Sequence, residues 1–251
     1  MTSVSTFLIS FLSISAGIAV GLTLRESIPA AHLGKETKEV VRLGAGFVTT
    51  LAAVLISLMI ASAKSSYDIQ DGHFWKMAAY LVETDQLLAQ YGAEAAPLRK
   101  VIRLAVPAAI DRIWREERTA SQNTAFTEGS LAEQLNVAIA QLSPTNDTQR
   151  LLKRRLEEAS AEIARTRLLM FADSDKPIQV PFLLILMFWL AVIFAGFSLF
   201  MEPGPVTIAA LVIFALSVSS ALFLVADLNQ PYAGLMQIPR AQLEHTLPPL
   251  D

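Results

Sequence analysis

Four stretches of the chain run without a charged residue: Phe7–Leu24, Leu43–Ala63, Val180–Met201 and Val206–Ala226. A helix needs roughly 20 apolar residues to cross a bilayer, so each stretch predicts a spanning helix. The first reads as a permanent span rather than an export signal. Met1–Thr6 carries no Lys or Arg, and Arg25-Glu26 follows the apolar run where small residues would mark a cleavage site. Glu202-Pro203-Gly204-Pro205 separates the third and fourth stretches, and its two prolines stop one helix and start the next.

The polar stretch between the second and third spans reads as helical throughout. One helix is expected from Asp71 to about Tyr91, ending at Gly92, and a second through Leu98, Ile102, Ala105, Ala109 and Ile113 with a kink at Pro107. A third covers Leu131–Leu142. After Ser143-Pro144, read as N-cap and first helical position, apolar or small residues recur at Leu152, Leu156, Ala159, Ile163, Thr166 and Met170, steps that alternate four and three. Lys153 with Glu157 and Arg154 with Glu158 place opposite charges on adjacent turns of the other face. No strand-like alternation or internal repeat competes with this reading.

The expected fold class is therefore an all-α membrane protein, with four transmembrane helices in two hairpins flanking a helical domain. The domain boundaries read as 1–63 for the N-terminal hairpin, 64–179 for the helical domain, 180–226 for the C-terminal hairpin and 227–251 for the tail. An even number of spans puts both termini and the middle domain on one side of the membrane. Lys64, Lys76, Arg165, Arg167, Lys176 and Arg240 lie near span ends on that side; Arg25, Lys35, Lys38 and Arg42 lie opposite. The slight excess places the termini and helical domain in the cytoplasm of a multi-pass protein of the cell (inner) membrane.

Composition agrees with a bilayer setting: 53% of residues are hydrophobic and 17% charged, too apolar for a soluble globule of 251 residues. The net charge of −3 argues against nucleic acid as a partner. Without Cys there is no disulfide, thiolate ligand or cysteine nucleophile. His32, His73 and His245 stand in separate segments, none at ligand spacing from another, so neither metal nor cofactor is expected. Glu116-Glu117 and Glu157-Glu158 sit among Arg and Lys on helical surfaces and read as solvated, and no constellation of acids and bases points to an enzyme. The spans hold no Asp, Glu, Lys, Arg or His, which lowers the weight of pumps and proton-coupled transporters, whose ionisable groups sit at membrane depth. Passive conduction is unaffected, since a pore can be gated by an apolar constriction and select ions at its mouths.

Span two carries the candidate site. Gly46, Thr50, Ala53, Ser57 and Ala61 follow one another at steps of four, three, four and four, and the pattern extends to Arg42 and Lys64. At about 100° per residue these positions share an arc of about 100°, small or hydroxylated throughout and cationic at both ends. Such a face suits the wall of an anion pore; taken without other information it suits better a close helix–helix contact with basic anchors at the headgroups. A second cluster, Asp227 through Gly234, includes Pro231 and bends the chain as it leaves span four. Its Asp caps the helix or binds a ligand.

Lys38-Glu39-Val40-Val41-Arg42-Leu43-Gly44-Ala45-Gly46 and Ile60-Ala61-Ser62-Ala63-Lys64-Ser65-Ser66-Tyr67-Asp68, at the two ends of span two, resemble segments of the bestrophin-like membrane family of bacteria. Leu87-Leu88-Ala89-Gln90-Tyr91-Gly92-Ala93-Glu94-Ala95 with Arg99, and Asp227–Gly234, resemble others. The resemblance covers nearly the whole chain. It implies kinship with the bestrophins, pentameric anion channels with cytosolic termini in which span two lines a central pore. On that footing the expected function is an oligomeric channel, a homo-oligomer and by resemblance a pentamer, that passes inorganic anions. The chain lacks the acidic run that binds calcium after the last span of animal bestrophins, having Asp227 and Tyr232 nearby, so calcium gating is not implied. Nor does the stripe show bulky apolar residues to form a neck. The alternative is a non-conducting scaffold or sensor whose helical domain binds partners.

Overall fold

The computed structural model describes residues 3–29, 34–104, 131–174, 180–202, 204–230 and 234–236. All regular structure among them is helical. The elements are α1 (Ser3–Ser27), α2 (Lys35–Tyr91), a single 3-10 turn (Ala93–Ala95), α3 (96–104), α4 (Leu131–Ala140), α5 (Asp147–Ser174), α6 (Val180–Phe200) and α7 (Pro205–Leu228). Four of them, α1, α2, α6 and α7, are long and apolar enough to cross a membrane. Contacts divide the chain into two units, residues 1–66 with 177–229 and residues 67–176 with 230–251.

The expected break between span two and a helix starting at Asp71 is absent. α2 continues for 57 residues because Lys64–Gln70 contains neither Pro nor Gly, and Gly72 alone weakens a helix without ending it. The helix stops at Gly92, whose φ of 116° and ψ of −169° form a backbone conformation close to glycine-only. The expected positions Ala105, Pro107, Ala109 and Ile113 lie outside the described residues, as do His32, Glu116, Glu117, Tyr232 and His245.

In the first unit, α1 packs on both α6 and α7. Gly17 and Gly21 of α1 face Ala191 and Ala195 of α6, and farther along α1 the Arg25 guanidinium donates to the carbonyl of Met201, just past the end of α6. Positions rise together on the two helices, so α1 and α6 are parallel. Phe7 meets Phe223 edge-on at 6.4 Å, which pairs the start of α1 with the end of α7 and makes those two antiparallel. Space thus pairs the first span with the third and fourth, a closer association than chain order suggests. The reason lies in size. Lipid tails are as apolar as Leu, so helices in a bilayer associate where small residues admit close backbone approach. The buried face of α1 is Ser3, Thr6, Ser10, Ile14, Gly17, Ile18 and Gly21.

In the second unit, Phe74, Leu81 and Leu88 of α2 recur every seven residues and bury against a core that includes Ile102 of α3, Leu135 and Ile139 of α4, and Leu152, Leu156 and Ile163 of α5. Lys76–Glu162 at 3.6 Å and Glu83–Arg155 at 3.4 Å show that α2 and α5 run antiparallel here. The N-cap of α5 is Asn146, not Ser143: its Oδ1 accepts the Gln149 backbone N–H at 2.8 Å. Gln149 reaches back to accept the Thr145 N–H at 2.8 Å and donates to the Tyr91 carbonyl at 3.2 Å, so one side chain serves the start of α5 and the end of α2. Lys153 turns away from the expected pairing with Glu157. Its Nζ donates to the carbonyls of Ala140 and Leu142, both at 2.9 Å, where the end of α4 leaves carbonyls without helical partners, whereas the exposed Glu157 carboxylate is satisfied by solvent.

Candidate functional site

Of the four apolar helices α2 is the least covered by its own chain: 6% of its most apolar stretch is buried, against 22% for α1, 39% for α6 and 28% for α7. Its buried and half-buried positions between 41 and 63 include Val41, Ala45, Val48, Ala52, Leu55, Ile56, Met59 and Ala63. With Ala52 as the origin, these fall within about 60° to either side of it, and the half-buried Ile60 lies at about 80°. This is the packing face. A Cβ at Gly196 of α6 would lie 3.8 Å from Val41, and Ala52 is buried in the core shared by α1, α6 and α7.

Every candidate of the stripe is exposed: Arg42, Gly46, Thr50, Ala53, Ser57, Ala61 and Lys64. On the same wheel they occupy an arc from about 80° to about 180°. A third arc, centred near −130°, holds the bulky residues Val40, Phe47, Leu51, Val54 and Leu58, all exposed. The helix therefore has three faces: one packs on its own chain, one is bulky and apolar, and one is small with a cation at each end. A close contact within the chain does not explain the small face, since among the described residues a Cβ at Gly46 would meet nothing within 4 Å.

Three hydroxyls of this span bond back to the helix's own carbonyls. Thr50 donates to the Gly46 carbonyl at 3.0 Å and Ser57 to the Ala53 carbonyl at 2.8 Å, as Thr49 does to Ala45 at 2.7 Å. In that rotamer each presents oxygen lone pairs outward, and its proton reaches a neighbouring anion only by rotating off the carbonyl. Within the stripe, positive charge comes from Arg42 and Lys64.

The second candidate cluster is not on this surface. Asp227 is 2% exposed, packed into the last turn of α7, and Asn229 caps that helix by donating its amide to the Val225 carbonyl at 2.7 Å. The Gly234 N–H closes the following turn on the Gln230 carbonyl at 2.9 Å; Pro231 lies outside the described residues. Two features went unread in the sequence. The Gly17-xxx-Gly21 spacing on α1, opposed by Ala191-xxx-Ala195 on α6, was visible as a small-residue motif. Asp85, which binds Arg99 and Arg103, gave no such signal, because its partners lie 14 and 18 residues away on another helix.

Among the described residues no group of three His, Asp or Glu is placed to hold a metal ion. Comparison with curated proteins and with solved structures finds no match in either. A family model described as the Bestrophin-like domain matches residues 11–243, a stretch that takes in most of α1, the whole stripe of α2 and the turn after α7. With the match spanning nearly the full chain and all four apolar helices, the protein belongs to the bestrophin-like family.

Proposed function

We propose that the protein is an oligomeric channel for passive conduction of inorganic anions, with α2 of each copy turning its small face to a central axis. The observation that carries this reading is the solvent exposure of that face. Arg42, Gly46, Thr50, Ala53, Ser57, Ala61 and Lys64 stay exposed while the opposite side of the helix packs on its own chain. Arg42 and Lys64 raise the local anion concentration at the two mouths, and the path between is narrow-walled and weakly polar. Membership of the family supports a homo-oligomer, and the bestrophin kinship supports a pentamer with the termini and the helical domain in the cytoplasm of the cell membrane.

The test is the reversal potential of the purified protein in planar bilayers across a potassium chloride gradient. A value near the chloride equilibrium potential supports the reading. A potassium-like value refutes anion selectivity, and electrical silence with a monomer in gentle detergent favours a scaffold or sensor, because a pore with one helix per subunit needs a closed ring.

A further inference from the structure

A charge cluster in the second unit stands apart from the α2 stripe. Asp85, near the end of α2, is 1% exposed. Its Oδ1 accepts from Arg99 Nε at 2.9 Å and from Arg103 Nε at 3.0 Å, and its Oδ2 accepts from Arg99 Nη2 at 3.1 Å and Arg103 Nη2 at 2.7 Å. One carboxylate thus answers two guanidiniums, and the cluster keeps an excess positive charge.

Both arginines address Asp85 with the same edge, Nε with Nη2. The other edge of each, Nη1 with the second Nη2 hydrogen, presents two parallel N–H bonds at the spacing of two oxygens on one oxyanion. Among the described residues, neither arginine has a hydrogen-bond or ion-pair partner other than Asp85. Yet the Arg103 side chain is 7% exposed and that of Arg99 27%, so water reaches one guanidinium poorly and the other in part. Unused donors on an uncompensated, mostly buried charge are costly unless an acceptor completes them. The two arginines stand one helical turn apart on α3, which sends both side chains from the same face, and Asp85 fixes both planes in advance.

We propose that Arg99 and Arg103 form a binding site for a tetrahedral oxyanion, phosphate or sulfate, whose oxygens take the forked edges that Asp85 leaves unused. Chloride is a single spherical acceptor and cannot set separate oxygens on the two forks, so the site discriminates by shape as well as charge. The phosphate is either a free ion or part of a lipid headgroup. The site does not depend on whether α2 lines a pore.

The experiment is calorimetric titration of the full chain in detergent with inorganic phosphate, at ionic strength held constant with potassium chloride. Saturable binding is expected, weakened at least tenfold by Arg99→Gln. Arg99→Lys keeps the charge beside Asp85 and removes the fork, so a tenfold loss in this variant with the melting temperature of the parent excludes unfolding as the cause. A parallel titration uses short-chain phosphatidic acid below its micellar concentration. Binding of inorganic phosphate alone assigns a soluble ion, whereas phosphatidic acid binding more tightly assigns a lipid headgroup. Absence of saturable binding by both, or equal affinity in the parent and Arg99→Gln proteins, overturns the site.

Discussion

Gly21 of α1 lies against the Ala195 carbonyl of α6 with no room between them for a Cβ, and the same Cβ would meet Ser198 at 2.8 Å. Gly17 repeats the relationship one turn earlier against Ala191. The neighbours are backbone, which cannot move aside as a flexible side chain would, so α1 and α6 must separate to admit any larger residue. Gly21→Val is expected to cost about 1–3 kcal/mol, the range for overpacking. Thermal unfolding in detergent checks this, and a melting temperature equal to that of the parent chain refutes the close parallel packing.

Burial alone would push the Asp85 carboxyl up; hydrogen bonds from Arg103 and Arg99, with their charges, outweigh it and hold the group below the usual carboxylate range. A carboxyl depressed on folding contributes stability that is complete above its unfolded value of about 4 and disappears as pH falls through the lower folded value. Asp85→Asn removes that contribution at every pH and leaves two guanidiniums with no carboxylate, at a cost of about 3–5 kcal/mol. Melting temperatures from pH 7 to pH 3 should converge between parent and variant at the acid end. A constant gap across that range would contradict the assignment.

Lys153 closes the end of α4 through two carbonyls. Lys153→Met keeps the aliphatic stem and loses both charge-assisted bonds, with an expected cost of about 1–2 kcal/mol. Amide exchange near the end of α4 should quicken in this variant while α1 and α6 are unchanged. Equal protection across α4 would show that solvent replaces the lysine without loss.

Within the channel reading, charge and width separate by residue. Arg42→Gln lowers the anion-to-cation permeability ratio with little change in pore dimensions, because it removes charge at one mouth. Ser57→Phe places a bulky ring on the small arc and should block or reshape unitary conductance. Unchanged conductance in Ser57→Phe removes α2 from the pore wall, whatever the protein conducts.

Phe47, Leu51, Val54 and Leu58 form an exposed apolar arc next to that small face. Their replacement by Leu, Ile or Val of similar volume should leave detergent-solubilised protein folded, since none supports the chain's own core. A loss of folding in Phe47→Leu would show that the arc packs within the chain.

The four spans were legible because the bilayer imposes a length and an apolar composition that appear in any sequence obeying them. The three faces of α2 were partly legible. Period fixes which residues share an arc, and the line from Arg42 to Lys64 follows from spacing alone. Which arc meets the rest of the chain does not, since every face of a spanning helix is free of charge and the pattern carries no inside and outside. Only the packing of Val41, Ala52 and Met59 on neighbouring helices left the small face exposed.

Local chemistry set the end of α2, where Gly92 takes a backbone conformation near glycine-only, and the turn into α7, where Pro205 opens the helix after Gly204. The continuity of α2 past Lys64 was harder to see, because a change from apolar to polar residues marks a change of solvent and not a break in backbone hydrogen bonding. Pairings distant in sequence belonged to the fold alone. Gly21 with Ala195, and Asp85 with Arg99 and Arg103, depend on where whole helices come to lie, and a helical period relates residues within one helix, never those on two.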